Sequence, residues 1–164
     1  MGQKINSKVF SFSNIDLYHF NRVVQTWNLN FLQLSSGKFS ANLKQYISKE
    51  FQFGYAKFNK AVKQEGFSPK GVWTFAFVNE VKIYWRNYRV QPKSVIIYSP
   101  ESEINAVSDA NFEVLIFSIT EDFFLKIAKE EKMEKFFYSL SSIDVLVAKN
   151  PLWNTLRMAI LKEI

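Results

Sequence analysis

The 164-residue chain contains no cysteine, only five glycines and a single histidine, His19. Without cysteine it can form neither a disulfide framework nor a thiolate zinc site, and it lacks a cysteine nucleophile. The glycines form no recognised phosphate-binding loop. No apolar run approaches the ~20 residues that a membrane-spanning helix needs, and the first residues lack the apolar stretch of a signal peptide. These absences favour a soluble, cytoplasmic protein.

A catalytic centre is equally hard to assemble from this sequence. His19 lies in a predicted helix, and a structural role is favoured because a base or a metal ligand would need partners that are missing. The acids Glu101, Glu103 and Asp109 are loosely grouped but do not have a metal-binding spacing. We therefore predict that the protein is not an enzyme and that it uses neither a cofactor nor a metal ion.

Aromatic residues are abundant, at 17% of the chain, and the formal net charge is +6. Aromatic side chains favour pleated, half-buried surfaces and so indicate β structure. A positive charge can attract nucleic acid, but the basic residues are spread along the chain with no run of five. A solvated basic surface is therefore favoured over a nucleic-acid patch.

The apolar period changes twice along the chain. It is helical from Ile15 to Trp27, where Ser13 and Asp16 are predicted to form a capping box. Short apolar segments separated by turns follow, which predicts a sandwich or small barrel, and the period becomes helical again after Ile119. The predicted strands are 29–34, 38–48, 51–58, 61–62, 72–78, 81–90, 94–98, 104–107 and 112–119, with a loop containing Gly66, Pro69 and Gly71.

The last quarter of the chain is predicted to be mostly helical. Thr120 caps a helix with an acidic first turn, a short helix covers 134–140, and Asn150 with Pro151 opens a final helix. The segment 143–148 fits either a helix or a strand. We thus predict an N-terminal helix and barrel over 1–119 and a C-terminal helical segment over 120–164, and we expect the chain to be a domain of a longer protein.

Residues Phe12 to Phe124, about two thirds of the chain, resemble the N-terminal domain of AraC/XylS-type transcription regulators. The segment FLQLSSGKFSANL, beginning at Phe31, resembles the family's QLSxGxFxGxL pattern, although Ala41 stands where the family often has glycine. The remaining resemblance is carried by Asp16 and Trp27 of the first helix, the strand Val72-Trp73-Thr74-Phe75-Ala76-Phe77, Trp85, the turn Ile97-Tyr98-Ser99-Pro100, Phe112-Glu113-Val114, and Phe123, Phe124 and Ile127.

The resemblance implies a mainly β fold, a cupin-like double-stranded β-helix barrel with an N-terminal helix and C-terminal flanking helices. In function it implies an effector-sensing or dimerising domain of a DNA-binding regulator, either activator or repressor. The family's DNA-binding part is a pair of helix-turn-helix motifs of about a hundred residues. This chain has no room for it, so DNA binding is expected only through a C-terminal domain that this chain does not contain.

Candidate ligand-binding residues lie on two of the predicted strands. Trp73, Phe75 and Phe77 share one face of their strand, and Tyr84 and Arg86 share a face of the next. If these faces point into an open barrel, the aromatic side chains line an apolar pocket and Arg86 or Lys82 pairs with an effector carboxylate. The alternative is that the aromatic residues only fill a small closed barrel.

The last helix suggests a dimer. Leu152, Leu156 and Ile160 lie on one face and are predicted to pack across a two-fold axis in a homodimer. The alternative is that this face packs against the chain's own barrel.

Two other functions remain open from the sequence. The first is a stand-alone small-molecule-binding barrel, either a carrier or a non-metal isomerase. The second is binding of single-stranded nucleic acid through Tyr55 and Trp85, which are interleaved with Lys57, Lys82 and Arg86.

Overall fold

The computed structural model describes residues 8–24, 28–78, 82–86, 88–147 and 152–163. Strands dominate this part of the chain and form two antiparallel sheets, as the mainly β prediction requires. The helices are α1 Leu17–Val23, α2 Glu121–Glu130, α3 Glu134–Ser139 and α4 Leu152–Glu163, with a 3-10 turn at Leu140–Ser142. The strands are β1 Lys8–Ile15, β2 Leu29–Gln33, β3 Ala41–Ile47, β4 Phe51–Phe58, β5 Val62–Phe67, β6 Val72–Val78, β7 Ile83–Trp85, β8 Tyr88–Val90, β9 Ser94–Tyr98, β10 Glu103–Ser108, β11 Phe112–Thr120 and β12 Val145–Val147.

The two sheets enclose the interior of a barrel. The larger sheet has the order β1-β3-β4-β11-β6-β9-β12, and the smaller has the order β2-β5-β10-β7-β8. Successive residues of a strand point to opposite faces. The inward residues of both sheets therefore meet in one cluster, which we call the inner core.

Helix α1 closes one end of the barrel. Its buried Phe20 lies 4.9 Å from Phe31 and 6.0 Å from Phe58, measured between ring centroids. Phe58 in turn lies 5.4 Å from Phe112. Aromatic rings at such distances pack favourably beyond the area they bury, so these rings hold α1 against the inner core.

The outward face of the larger sheet forms a second cluster, the outer core, beneath the C-terminal helices. Phe137 of α3 lies 5.8 Å from Trp73 of β6 and 5.0 Å from Phe124 of α2. Helix α2 thus packs on the sheet through the apolar face that the sequence predicted. The first helix and this one are both amphipathic, but only α1 contributes to the inner core.

The N-terminal part differs from the sequence prediction. Residues 8–15 form the edge strand β1, and the helix begins only at Leu17. Asp16, not Ser13, is the N-cap, because its Oδ1 accepts a hydrogen bond of 2.9 Å from the backbone N–H of His19. This bond is the main reason that the pKa of Asp16 lies below its ordinary value. Trp27, the predicted helix end, lies outside the described residues.

Three further elements depart from the prediction. Gly66 lies in strand β5 instead of a loop; its φ is +153°, and a Cβ there would come within 2.0 Å of the carbonyl oxygen of Asn28. The predicted strand 81–90 is divided into β7 and β8, and Arg86 between them has a φ of +46°. The ambiguous segment 143–148 supplies β12, which joins β9, so the segment 120–164 also contributes a strand to the barrel sheet.

Candidate functional site

The aromatic residues predicted to line the barrel do not face its interior. Trp73 and Phe77 are 4% and 6% exposed, but they are buried in the outer core, and Phe75 packs there beside them. The expectation that this face points inward is wrong because α2 and α3 need a wide apolar surface on the outside of the sheet. Binding of a ligand at these three residues would require displacing those helices.

Tyr84 and Arg86 also lie outside the barrel. Tyr84 is 43% exposed, and Arg86 extends over the smaller sheet, where its guanidinium lies 4.6 Å above the ring of Trp85. The same guanidinium pairs with the carboxylate of Asp144 at 3.3 Å. Arg86 therefore cannot meet an effector carboxylate inside the barrel in this conformation.

The inward residues instead enclose two small chambers. Their volumes are about 40 and 50 Å³, enough for a few water molecules each. Leu29, Gln64, Val114 and Ile116 line both chambers, so the chambers are neighbours. Most of the barrel is filled, but its interior is not solid throughout.

Small residues create this space. Gly54 and Ala56 on β4 and Ala76 on β6 all line a chamber, at positions where larger side chains would fill it. A Cβ at Gly54 would meet the Cβ of Ile116 at 3.8 Å, an ordinary contact. The chambers thus follow from side-chain size and not from strained backbone.

Two glutamine side chains line the chambers. Gln45 of β3 is 8% exposed and lines one chamber, and the half-buried Gln64 of β5 lines both. Within the described part of the chain, neither side-chain amide makes a hydrogen bond. A polar side chain in an apolar wall is costly to desolvate without a partner, so these two side chains mark a place for water or a ligand.

A groove at the end of the barrel opposite α1, which we call the mouth, has a volume of about 210 Å³. Ser118 lines the mouth and Thr74 lines a chamber, and their hydroxyl oxygens are 2.9 Å apart. This hydroxyl pair therefore forms part of the wall between mouth and chamber. The other residues that line the mouth are Ser48, Lys49, Glu50, Phe51, Gln52, Pro69, Val72, Ile119 and Thr120.

An ion pair connects the barrel to the last helix. Arg157 of α4 lies 2.5 Å from Glu113 of β11, and the two side chains are about a fifth exposed. Tyr55 of β4 stands beside them. Burial first, and then the neighbouring carboxylate of Glu113, raises the pKa of Tyr55 above its ordinary value. Strand β11 thus lines the chambers on one face and holds α4 on the other.

The residues predicted to form a dimer interface are only partly described. Ile160 is 6% exposed and is buried in the outer core, so it packs against the chain's own sheet and not across a two-fold axis. This is the alternative that the sequence left open for that face. The side chains of Leu152 and Leu156 lie outside the described residues.

Among the residues that the structure describes, no group of three acidic, histidine or cysteine residues could hold a metal ion. His19 is paired with Asp16 on the surface, with 2.9 Å between Nδ1 and Oδ1. None of the described helices has both the length and the apolar character needed to cross a membrane.

The sequence contained a signal for the glutamines that was not used. In β3 the apolar inward positions Ala41 and Leu43 are followed two residues later by Gln45. A polar residue that interrupts an inward apolar series is a candidate for a site, because its burial needs a partner. The aromatic residues were predicted to line the site instead, although the alternation of a strand does not indicate which of its two faces is inward.

The structure is similar in fold to a solved transcription regulator. The AraC-like transcriptional activator CuxR superposes with a TM-score of 0.66 at 11% identity, over 95% of this chain and 60% of CuxR. A predicted oxalate decarboxylase from Thermotoga maritima (TM-score 0.35, 12% identity, 58% of this chain and 95% of that one) and the Cnp3 cupin domain of Schizosaccharomyces pombe (0.34, 12%, 62% and 72%) are more distant. Neither a family model nor a curated protein matches the sequence.

The similarity to CuxR confirms, at the level of fold, the resemblance to an AraC-type regulator, and the two antiparallel sheets confirm the mainly β fold. The chain spans about three fifths of the length of CuxR.

Proposed function

We propose that this chain is the effector-sensing regulatory domain of an AraC-type transcription regulator. The observation that carries the proposal is the similarity in fold to CuxR over nearly the whole chain. The whole regulator would bind DNA through a C-terminal helix-turn-helix domain that this chain does not contain, and it would act in the cytoplasm. No catalytic role is proposed.

The sensing step is assigned to the barrel interior. The chambers offer a few polar groups in a mostly apolar wall, which is the usual composition of a small-molecule site. The more polar mouth lies beyond the Thr74–Ser118 hydroxyl pair. Because the chambers are small, an effector would occupy mainly the mouth and would have to move this pair to place one group inside.

Strand β11 provides a route from the site to the helices. Its inward residues Ile116 and Ser118 line a chamber and the mouth, and its outward Glu113 holds α4 through Arg157. An effector shifts a conformational equilibrium only if it binds one state better than the other. We propose that the effector favours one position of β11, and that α4 responds through the Glu113–Arg157 pair.

Homodimerisation is part of the proposal. We do not assign the dimer contact to Ile160, because that side chain is buried within the chain. The exposed side of α4, with Thr155, Met158 and Lys162, remains accessible to a partner.

The test is to fuse the whole chain to a DNA-binding domain that represses a reporter gene only as a dimer. Repression well above that of the unfused DNA-binding domain is expected, and a cell extract containing the effector should change it. Gln45→Met should remove the response to extract without removing repression, whereas the exposed-site control Gln91→Met should behave as the parent. A fusion that never represses, and is indifferent to extract, would contradict the regulatory proposal.

The second candidate, a stand-alone carrier or non-metal isomerase, rests on the same chambers. Native mass spectrometry before and after denaturing extraction would show a co-purified small molecule in either case. A ligand together with an inactive fusion would favour the carrier, and turnover of that ligand would favour the isomerase.

A further inference from the structure

We propose that the barrel interior selects a neutral, hydrogen-bonding group of its ligand and rejects an ionised group of the same size. This inference rests on the proposed sensing function and adds the chemical class of the effector. It also replaces the sequence-based expectation of an effector carboxylate paired with Arg86, which lies outside the barrel and is paired with Asp144.

The chambers have hydrogen-bonding capacity that none of the described residues uses. Gln45 is more than nine-tenths buried and lines a chamber, and its amide makes no hydrogen bond within the described part of the chain. Gln64, on strand β5 of the other sheet, is half-buried and lines both chambers, and its amide also makes no hydrogen bond within the described part of the chain. An amide offers both a donor and an acceptor, so two amides on the chamber walls suit a ligand group that also donates and accepts, such as a hydroxyl or a carboxamide.

The residues that line the two chambers carry no charge. The residues that line the two chambers include no aspartate, glutamate, lysine, arginine or histidine; their other polar members are the hydroxyl residues Thr74 and Tyr98. An ion that is moved from water into such a place loses its hydration and gains no counter-charge, which costs several kcal/mol. A neutral group avoids most of this cost.

The mouth is lined by one residue of each charge. Lys49 is exposed and Glu50 is half-buried, and they are adjacent in the turn between β3 and β4. Their opposite charges leave the lining of the mouth without net charge. The mouth therefore favours neither a positive nor a negative ligand. Selection between neutral and ionised groups then takes place in the chambers.

The test uses fragments that fit the chambers, with the side-chain NH₂ signals of Gln45 and Gln64 as reporters. The isotope-labelled whole chain is titrated at millimolar concentrations with matched compounds: acetamide against acetate, and ethylene glycol against glycolate and protonated ethanolamine. The neutral compounds should shift both signals saturably, and each ion should bind about tenfold or more weakly. Gln45→Met should weaken the shift at Gln64, and the exposed-site control Gln91→Met should leave it unchanged.

Each outcome decides a separate point. Equal binding of an ion and its neutral partner would overturn the selection while leaving sensing by the barrel intact. No response to any compound would overturn both the selection and the assignment of sensing to the interior, and the reporter fusion would then show whether the domain still regulates. An unchanged shift at Gln64 in Gln45→Met would remove Gln45 from the site.

Discussion

The larger sheet separates the inner core from the outer core, and the two faces of strand β6 differ in side-chain size and polarity within seven residues. Its outward residues are Trp73, Phe75 and Phe77, which pack beneath α2 and α3. Its inward positions are occupied by smaller residues, including Thr74 and Ala76, which line a chamber. The outer core is thus built from close-packed rings, whereas part of the inner core is left open and polar.

This difference suggests a division of labour. Interlocking aromatic residues supply large buried areas and specific ring contacts, so the outer core fixes the C-terminal helices on the barrel. Unpaired amides and small cavities lower stability, and natural proteins tolerate such features where function requires them. The inner core near Gln45 has the composition of a site, and the outer core has the composition of a scaffold.

The largest effect is expected from breaking the outer core. Trp73→Ala removes a ring that contacts Phe124 and Phe137 and a hydrogen bond of 3.3 Å from Nε1 to Glu121. We expect the free energy of unfolding to fall by about 3–5 kcal/mol, measured by urea denaturation. Tyr138→Ala, at an aromatic residue that is 63% exposed, is the control. Equal losses in the two variants would contradict the scaffold role.

The next effect concerns the ion pair that joins strand β11 to helix α4. Glu113→Gln removes the charge that holds Arg157, and because both side chains are only about a fifth exposed, the loss should be about 1–3 kcal/mol. Hydrogen exchange should accelerate in α4 while the amides of β3 and β4 keep their protection. A double-mutant cycle with Arg157→Gln should give a coupling free energy well above the ~0.5 kcal/mol of an exposed pair. The exposed pair Lys126–Glu130 is the control, and equal coupling there would contradict the link.

The sequence predicted whether a segment is a helix or a strand better than it predicted which face of that segment points into the barrel. Phe112 to Ile119 was predicted as a strand and the segment after Thr120 as a helix because their periods differ, and both predictions are confirmed. The two-residue period of β6 is also evident, but it shows only that the strand has an apolar and a second face, and not which of them is inward. Which face is inward depends on α2 and α3, more than 40 residues away. Gly66 was misassigned for a similar reason, since the close approach of Asn28 is a tertiary contact.

A smaller effect, of opposite sign, is expected in the inner core. Gln45→Met keeps the side-chain length and removes an amide that has no hydrogen bond within the described residues. We expect the free energy of unfolding to rise by about 1 kcal/mol, with thermal and urea denaturation in agreement. Gln91→Met, at an exposed position, should be neutral. A marked loss of stability in Gln45→Met would mean that the amide is structural, and the contrast between the two cores would then disappear.

The smallest effect is a pH dependence at the junction of sheet and α4. Burial and the Glu113 carboxylate raise the pKa of Tyr55 in the folded chain above its ordinary value of 10.0. The stabilising contribution of the protonated phenol is fully present below pH 10.0 and is lost as the pH rises through the raised folded pKa, because the unfolded chain releases its proton first. Tyr55→Phe should therefore reduce the fall in stability between neutral pH and pH values above the folded pKa. Tyr138→Phe, at a side chain that is 63% exposed, is the control, and the difference between the two slopes isolates the contribution of Tyr55. If both slopes match the parent, Tyr55 is solvated and the Glu113–Arg157 link is more open than the structure shows.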